Sequence, residues 1–123
     1  MEREMFQVLK ADRRDVLAVR FAGSLGKVDL DRFTAWLERE TEEQPDGSLL
    51  IVIDDFDGYR SFQAAIADLK ADLRFKDRFT KIAVVGDAER ERVMTALADP
   101  FSKASLRYYP EEQQGAALAW LRS

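Results

Sequence analysis

The sequence predicts an α/β fold in which a mostly parallel five-stranded sheet with one antiparallel edge strand carries four helices. Two observations lead to that expectation. The runs Leu49-Leu50-Ile51-Val52-Ile53 and Lys81-Ile82-Ala83-Val84-Val85 are nearly unbroken and rich in β-branched residues, as strands covered on both faces are. Around them lie segments whose apolar residues recur every three or four positions, which is the spacing of one helix face. Strands and helices that alternate in this way close into a parallel sheet with right-handed crossovers.

The elements follow in order. Met5 to Lys10 and Val16 to Phe21 are short apolar-rich runs joined by Ala11-Asp12-Arg13-Arg14-Asp15, a polar connection of hairpin length, and read as two antiparallel strands. Gly23 and Gly26 break the pattern. Asp29 then sits where a helix N-cap belongs, ahead of Leu30, Phe33, Trp36 and Leu37, and the first helix should run to about Glu43. Gln44-Pro45-Asp46-Gly47 reads as a turn. Leu49 to Ile53 follows as the centre of the sheet and ends in an acidic, aromatic turn, Asp54-Asp55-Phe56-Asp57-Gly58-Tyr59.

From Ser61 a second helix is expected, with Phe62, Ala65, Ile66, Leu69 and Leu73 on one face and Gln63, Asp68, Lys70 and Asp72 outside. Lys81 to Val85 is the next strand, ending at Gly86-Asp87. Val93, Met94 and Leu97 mark a third helix that closes before Pro100. Ala104 to Tyr109 reads as the last strand. Pro110 at a first helical position opens a final helix, to which Ala116, Ala117, Trp120 and Leu121 supply apolar surface. The order is β-β-α-β-α-β-α-β-α.

At 123 residues the chain suits one domain, 1–123, long enough to bury a core without disulfides or metals. With 46% hydrophobic and 34% charged residues it falls among ordinary globular proteins. A formal net charge of −4 argues against a general nucleic-acid binder, which needs a basic face to displace counterions from phosphates. The chain has neither cysteine nor histidine, so thiol catalysis, histidine general-base chemistry, disulfides and imidazole metal sites are excluded. No stretch approaches the roughly 20 apolar residues that span a bilayer. A cytoplasmic protein with no integral membrane association, no metal and no cofactor is expected.

Several pieces of the chain together carry a family likeness. They are Asp55-Phe56-Asp57-Gly58 after the central strand, Asp68-Leu69 in the next helix, Lys81-Ile82-Ala83-Val84-Val85-Gly86-Asp87, Pro100-Phe101, Arg107-Tyr108-Tyr109 and Ala119-Trp120-Leu121. In these the chain resembles the SpoIIAA-like family, relatives of the STAS domain of anti-sigma-factor antagonists and sulfate transporters. The resemblance implies a STAS-type fold. That fold is similar to the CRAL-TRIO lipid-binding domain, which suggests by analogy a lipid or other apolar ligand. The best-understood relatives switch partners when a serine at the start of the helix after the central strand is phosphorylated. Here the nearest hydroxyl is Ser61, in Tyr59-Arg60-Ser61-Phe62, without the flanking Asp and Gly of the family pattern. Ser61 is therefore the candidate phosphorylation site, with a helix N-terminus to welcome the charge.

Other candidate sites have competing readings. Asp54, Asp55 and Asp57 crowd the carboxyl end of the central strand, where open α/β sheets place ligands, and could in principle hold Mg²⁺. With no glycine-rich phosphate loop beside them, capping and solvation is the favoured reading. Phe56, Tyr59, Phe62, Phe75 and Phe79, with Ile66 and Leu69, form the candidate ligand or interaction surface. Such a cluster fits core, a subunit interface or an apolar pocket. The basic segment from Lys70 to Lys81 reads as a solvated helix end and loop, Asp87 as the N-cap of the third helix, and Trp120 as packing of the last helix or as a partner anchor.

Three functions remain. A non-enzymatic regulatory or protein-interaction module, docking through the helix from Ser61 to Arg74 onto a partner protein or a second copy of itself, is preferred. A binder or carrier of a small apolar ligand such as a lipid or fatty acid comes next. An enzyme built on the aspartates comes last, and the expectation is no enzyme.

Overall fold

The computed structural model describes residues 6–9, 16–23, 27–43, 47–54, 56–70, 79–86, 90–98, 101 and 103–123, without the side chains of 6, 56–59, 68–70, 90 and 96. Its elements are β1 (Phe6–Leu9), β2 (Val16–Phe21), α1 (Lys27–Glu43), β3 (Gly47–Ile53), α2 (Phe56–Lys70), β4 (Phe79–Val85), α3 (Arg90–Ala98), β5 (Ser105–Tyr109), a 3₁₀ turn (Glu111–Gln113) and α4 (Gln114–Arg122). The strands lie side by side in chain order, β1 antiparallel to β2 and the other three pairings parallel. β3 is the centre and β1 the antiparallel edge, as the pattern of apolar runs implied.

Chain-order strands decide where the helices go. Successive crossovers of one hand that step in one direction must return on the same face of the sheet. Accordingly α1, α2 and α3 share one face. There Phe33, Trp36 and Leu37 of α1, Phe62, Ala65 and Ile66 of α2, and Val93 and Leu97 of α3 pack on Val19, Phe21, Leu49, Ile51, Ile82 and Val84. Phe21 is the hub of this layer, its ring edge-on to Phe33 at 5.3 Å and to Phe62 at 6.1 Å. Edge-to-face pairs of this kind add about 0.5–1.5 kcal/mol each beyond their burial.

The opposite face carries α4. Ala117 and Leu121 are buried there against Val16, Ala18, Leu50, Val52, Ala83 and Val85, with Leu118 and Trp120 half-buried beside them. Leu49 and Ile51 thus point to one layer and Leu50 and Val52 to the other, which is why the β3 run is apolar without alternation.

The starts of three helices differ from the sequence expectation. α1 begins at Lys27, so Asp29 lies inside its first turn, where a carboxylate favours the helix dipole, and Lys27 Nζ pairs with Asp31 Oδ1 at 3.7 Å one turn on. α2 begins at Phe56 rather than Ser61. Asp57-Gly58 looked like a turn, but a glycine in the first turn costs a helix only about 1 kcal/mol and the acid again sits at the favourable end. Pro110 is extended at φ −65°, ψ 160°, and its carbonyl accepts from Gln113 N at 2.9 Å to close the 3₁₀ turn. The α-helix proper therefore starts four residues later, at Gln114, and Ala116 is exposed.

One close approach fixes the carboxyl end of β4. A Cβ on the buried Gly86 would lie 3.1 Å from the Tyr108 hydroxyl and 3.4 Å from the Ile53 carbonyl oxygen. Gly86→Ala should therefore cost about 1 kcal/mol, and less in a Tyr108→Phe background, as read from urea-unfolding midpoints of the four chains of the cycle.

Candidate functional site

Of the three acids after β3, the structure describes one side chain, that of Asp54. Asp54 N donates to Phe21 O at 3.0 Å, extending the β2–β3 pairing by one residue. The Asp54 carboxylate lies 3.4 Å from Arg20 Nε on the adjacent strand, with about a third of each side chain exposed. That is an ion-pair contact and not a hydrogen bond, since Arg20 Nε has no hydrogen-bond acceptor. Partly exposed pairs of this sort contribute at most about 1 kcal/mol. Asp57 is the second residue of α2, and Asp55 lies outside the described residues. Among the described residues no group of three or more acids could hold a metal ion.

The aromatic cluster separates into parts. Phe62 is 0%, Phe79 3% and Ile66 4% exposed, and all three belong to the core between the sheet and its three helices. Phe79 opens β4 two residues earlier than expected and stacks edge-on with Phe101 at 5.8 Å. Phe56, Tyr59 and Leu69 lie on α2, where only their backbone is described, and Phe75 lies outside the described residues, as does Asp87.

Ser61 is 3% exposed, and its hydroxyl donates to the carbonyl oxygen of Gly23 in the segment after β2. Gly23 has φ 69°, a left-handed conformation that glycine adopts without a side-chain clash. The candidate phosphate acceptor is thus a tie between α2 and the end of β2, buried on the inner side of the helix.

The described side chains that α2 turns outward are small or polar. Arg60, Gln63, Ala64 and Ala67 are exposed. Beside them α2 and α3 form an open crevice of about 420 Å³ lined by Gln63, Glu91, Arg92 and Thr95. Helical spacing predicted the polar outer faces, whereas the crevice depends on how the two helices splay.

A second constellation was missed from the sequence. Lys81, read both as the end of a solvated basic run and as the first residue of a strand, lies in β4 and reaches the last turn of α4. Its Nζ donates to Trp120 O at 3.2 Å, Ser123 O at 2.9 Å and Ser123 Oγ at 2.9 Å. The same Nζ stands 5.6 Å from the Trp120 ring, Arg107 Cζ stands 4.7 Å from it, and Tyr109 packs at 6.5 Å. Ser48 Oγ adds a bond to Leu121 O at 3.4 Å. Trp120 therefore serves the docking of α4. The available signal was alternation, since Lys81 shares its face of β4 with the buried Ala83 and Val85.

No helix among the described residues is long and apolar enough to cross a membrane. No curated protein matches the chain. Among solved structures it is similar to an uncharacterised protein with a SpoIIAA-like fold from Shewanella loihica PV-4, at 21% identity and a TM-score of 0.60, over 98% of this chain and 97% of that one. At that identity the likeness speaks for the fold, which agrees with the five-stranded sheet and its four helices. The family model described as SpoIIAA-like matches residues 16–122, from the first residue of β2 to the last of α4. By that match the chain belongs to the SpoIIAA-like family.

Proposed function

We propose that the protein is a non-enzymatic regulatory or protein-interaction module that docks a protein partner through the outer face of α2 and the crevice between α2 and α3. The observation behind this reading is the crevice itself, open to solvent and walled by polar side chains from two helices. Ala64 and Ala67 on the exposed face of α2 let a partner backbone approach closely, and Arg60, Gln63, Glu91 and Thr95 offer hydrogen-bonding groups around them. Membership in a family whose fold typically serves regulation and interaction points the same way. Among the described acids at the end of β3, Asp54 lies against Arg20, an ion pair that needs no reaction to explain it. A pocket for an apolar ligand between α2 and the sheet has less in its favour, because Phe62, Ile66 and Phe79 are spent on the core.

A photo-crosslinking amino acid placed at Gln63, with a control at the exposed Glu112 on the 3₁₀ turn, tests the reading in cells. The expected result is a discrete cross-linked protein from position 63 alone, lost when Ala67→Arg blocks the helix face. A product at twice the chain mass would identify the partner as a second copy. No product, or equal products from both positions, would reject the docking face. Lipid-mass adducts on monomers in native mass spectrometry would favour the apolar-ligand carrier instead.

A further inference from the structure

Three helices interlock on one face of the sheet, but on the other α4 stands alone among the described residues, resting on β3, β4 and β5. It has nine residues, too few to persist as a helix in water without its tertiary contacts. Its apolar hold is Ala117 and Leu121, with the half-buried Leu118 and Trp120, on a floor of mostly small side chains. Its ties are uneven along its length. At the start, Gln113 makes no side-chain capping bond, Ala116 is exposed, and a Cβ at Gly115 would meet nothing within 4 Å. At the end, Lys81 bonds to Trp120 O, Ser123 O and Ser123 Oγ, Ser48 bonds to Leu121 O, and Arg107 lies over the Trp120 ring.

We propose that α4 is a lid over the second face of the sheet, pinned at its last turn by Lys81, and that it opens as a unit while β3, β4 and the three-helix layer stay folded. The Lys81 ammonium does two things at the pin. It adds a donor to Trp120 O, which also accepts from Ser123 N and Ser123 Oγ, and to Ser123 O, and it places positive charge at the negative end of the helix dipole. Opening uncovers Leu50, Val52, Ala83 and Val85, each no more than 3% exposed when the lid is shut. The strength of the Lys81 contacts thus sets how often an apolar strip of the central strands meets solvent. Cooperative units held by few apolar contacts open below the global unfolding free energy.

Native-state hydrogen exchange of the full chain, followed by mass spectrometry at low urea, distinguishes a lid from an ordinary part of the fold. Amides of 117–122 are expected to exchange through an opening with weak urea dependence, ahead of those in β3 and β4. Lys81→Met should speed α4 exchange by about tenfold over the native chain, while Lys81→Arg, which keeps the charge and the donors, should stay within about threefold of it. Equal exchange of α4 and the central strands with the same urea dependence would overturn the lid. A Lys81→Met chain whose α4 amides exchange within about threefold of the native chain would overturn the pin. Ile66→Val, which weakens the three-helix layer and leaves the lid contacts intact, is the control: it should speed exchange in β3 and β4 and leave α4 exchange at its native rate.

Discussion

Phe62→Ala is expected to lower the unfolding free energy by about 3–5 kcal/mol, the largest loss from shortening any one of the described side chains of α2. Phe62 has no exposed surface, and its ring meets Phe21, which in turn meets Phe33 of α1. Removing it takes a partner from the hub of the layer and leaves a void between α2 and β2 that the stiff strands cannot close. Urea denaturation followed by far-UV circular dichroism measures the loss. The value also bears on function. A side chain lining a ligand pocket would lose little stability on truncation, so a cost under about 1 kcal/mol would return Phe62 to the list of pocket residues.

Ser61→Asp should cost about 3 kcal/mol or more, well beyond the roughly 1 kcal/mol expected for Ser61→Ala. Alanine removes one hydrogen bond and leaves the Gly23 carbonyl without that donor. Aspartate puts a negative charge against the same carbonyl oxygen, at a site with 3% exposure. A phosphate there would meet the same obstacle, so modification of Ser61 requires α2 to part from the end of β2. Thermal melts of the two variants beside the native chain test the order. If Ser61→Asp melts with the native protein, the hydroxyl is accessible and Ser61 stands as a phosphate acceptor on the folded domain.

The legible part of this molecule was the part written in local pattern. The unbroken Leu49 to Ile53 run announced a strand covered twice, and it became the centre of the sheet. The switch from a period of two to a period of 3.6 placed all four helices in order. Boundaries failed where local chemistry was ambiguous. Gly58 resembles a turn residue and is helical, and Pro110 precedes a 3₁₀ turn where a first helical position was expected.

The site was less legible because its facts are non-local. Helical spacing puts Phe62 and Ile66 on an apolar face, but it does not say whether that face meets a sheet, a ligand or another chain. The burial of Ser61 depends on Gly23, 38 residues away in sequence. Lys81 and Trp120 are 39 apart, and Arg107 and Trp120 came from separate pieces of the family likeness that prove to share one ring.

The chain-order sheet also bears on how the protein is made. A ribosome delivers the strands in the order in which they pair, so each new strand finds its neighbour already waiting and one crossover completes each step. The three-helix layer can close as it emerges. The second face cannot, because its cover follows β5 in the chain. A nascent chain therefore passes through a stage in which one side of its sheet is finished and the other is bare, the stage most exposed to aggregation and most in need of a chaperone.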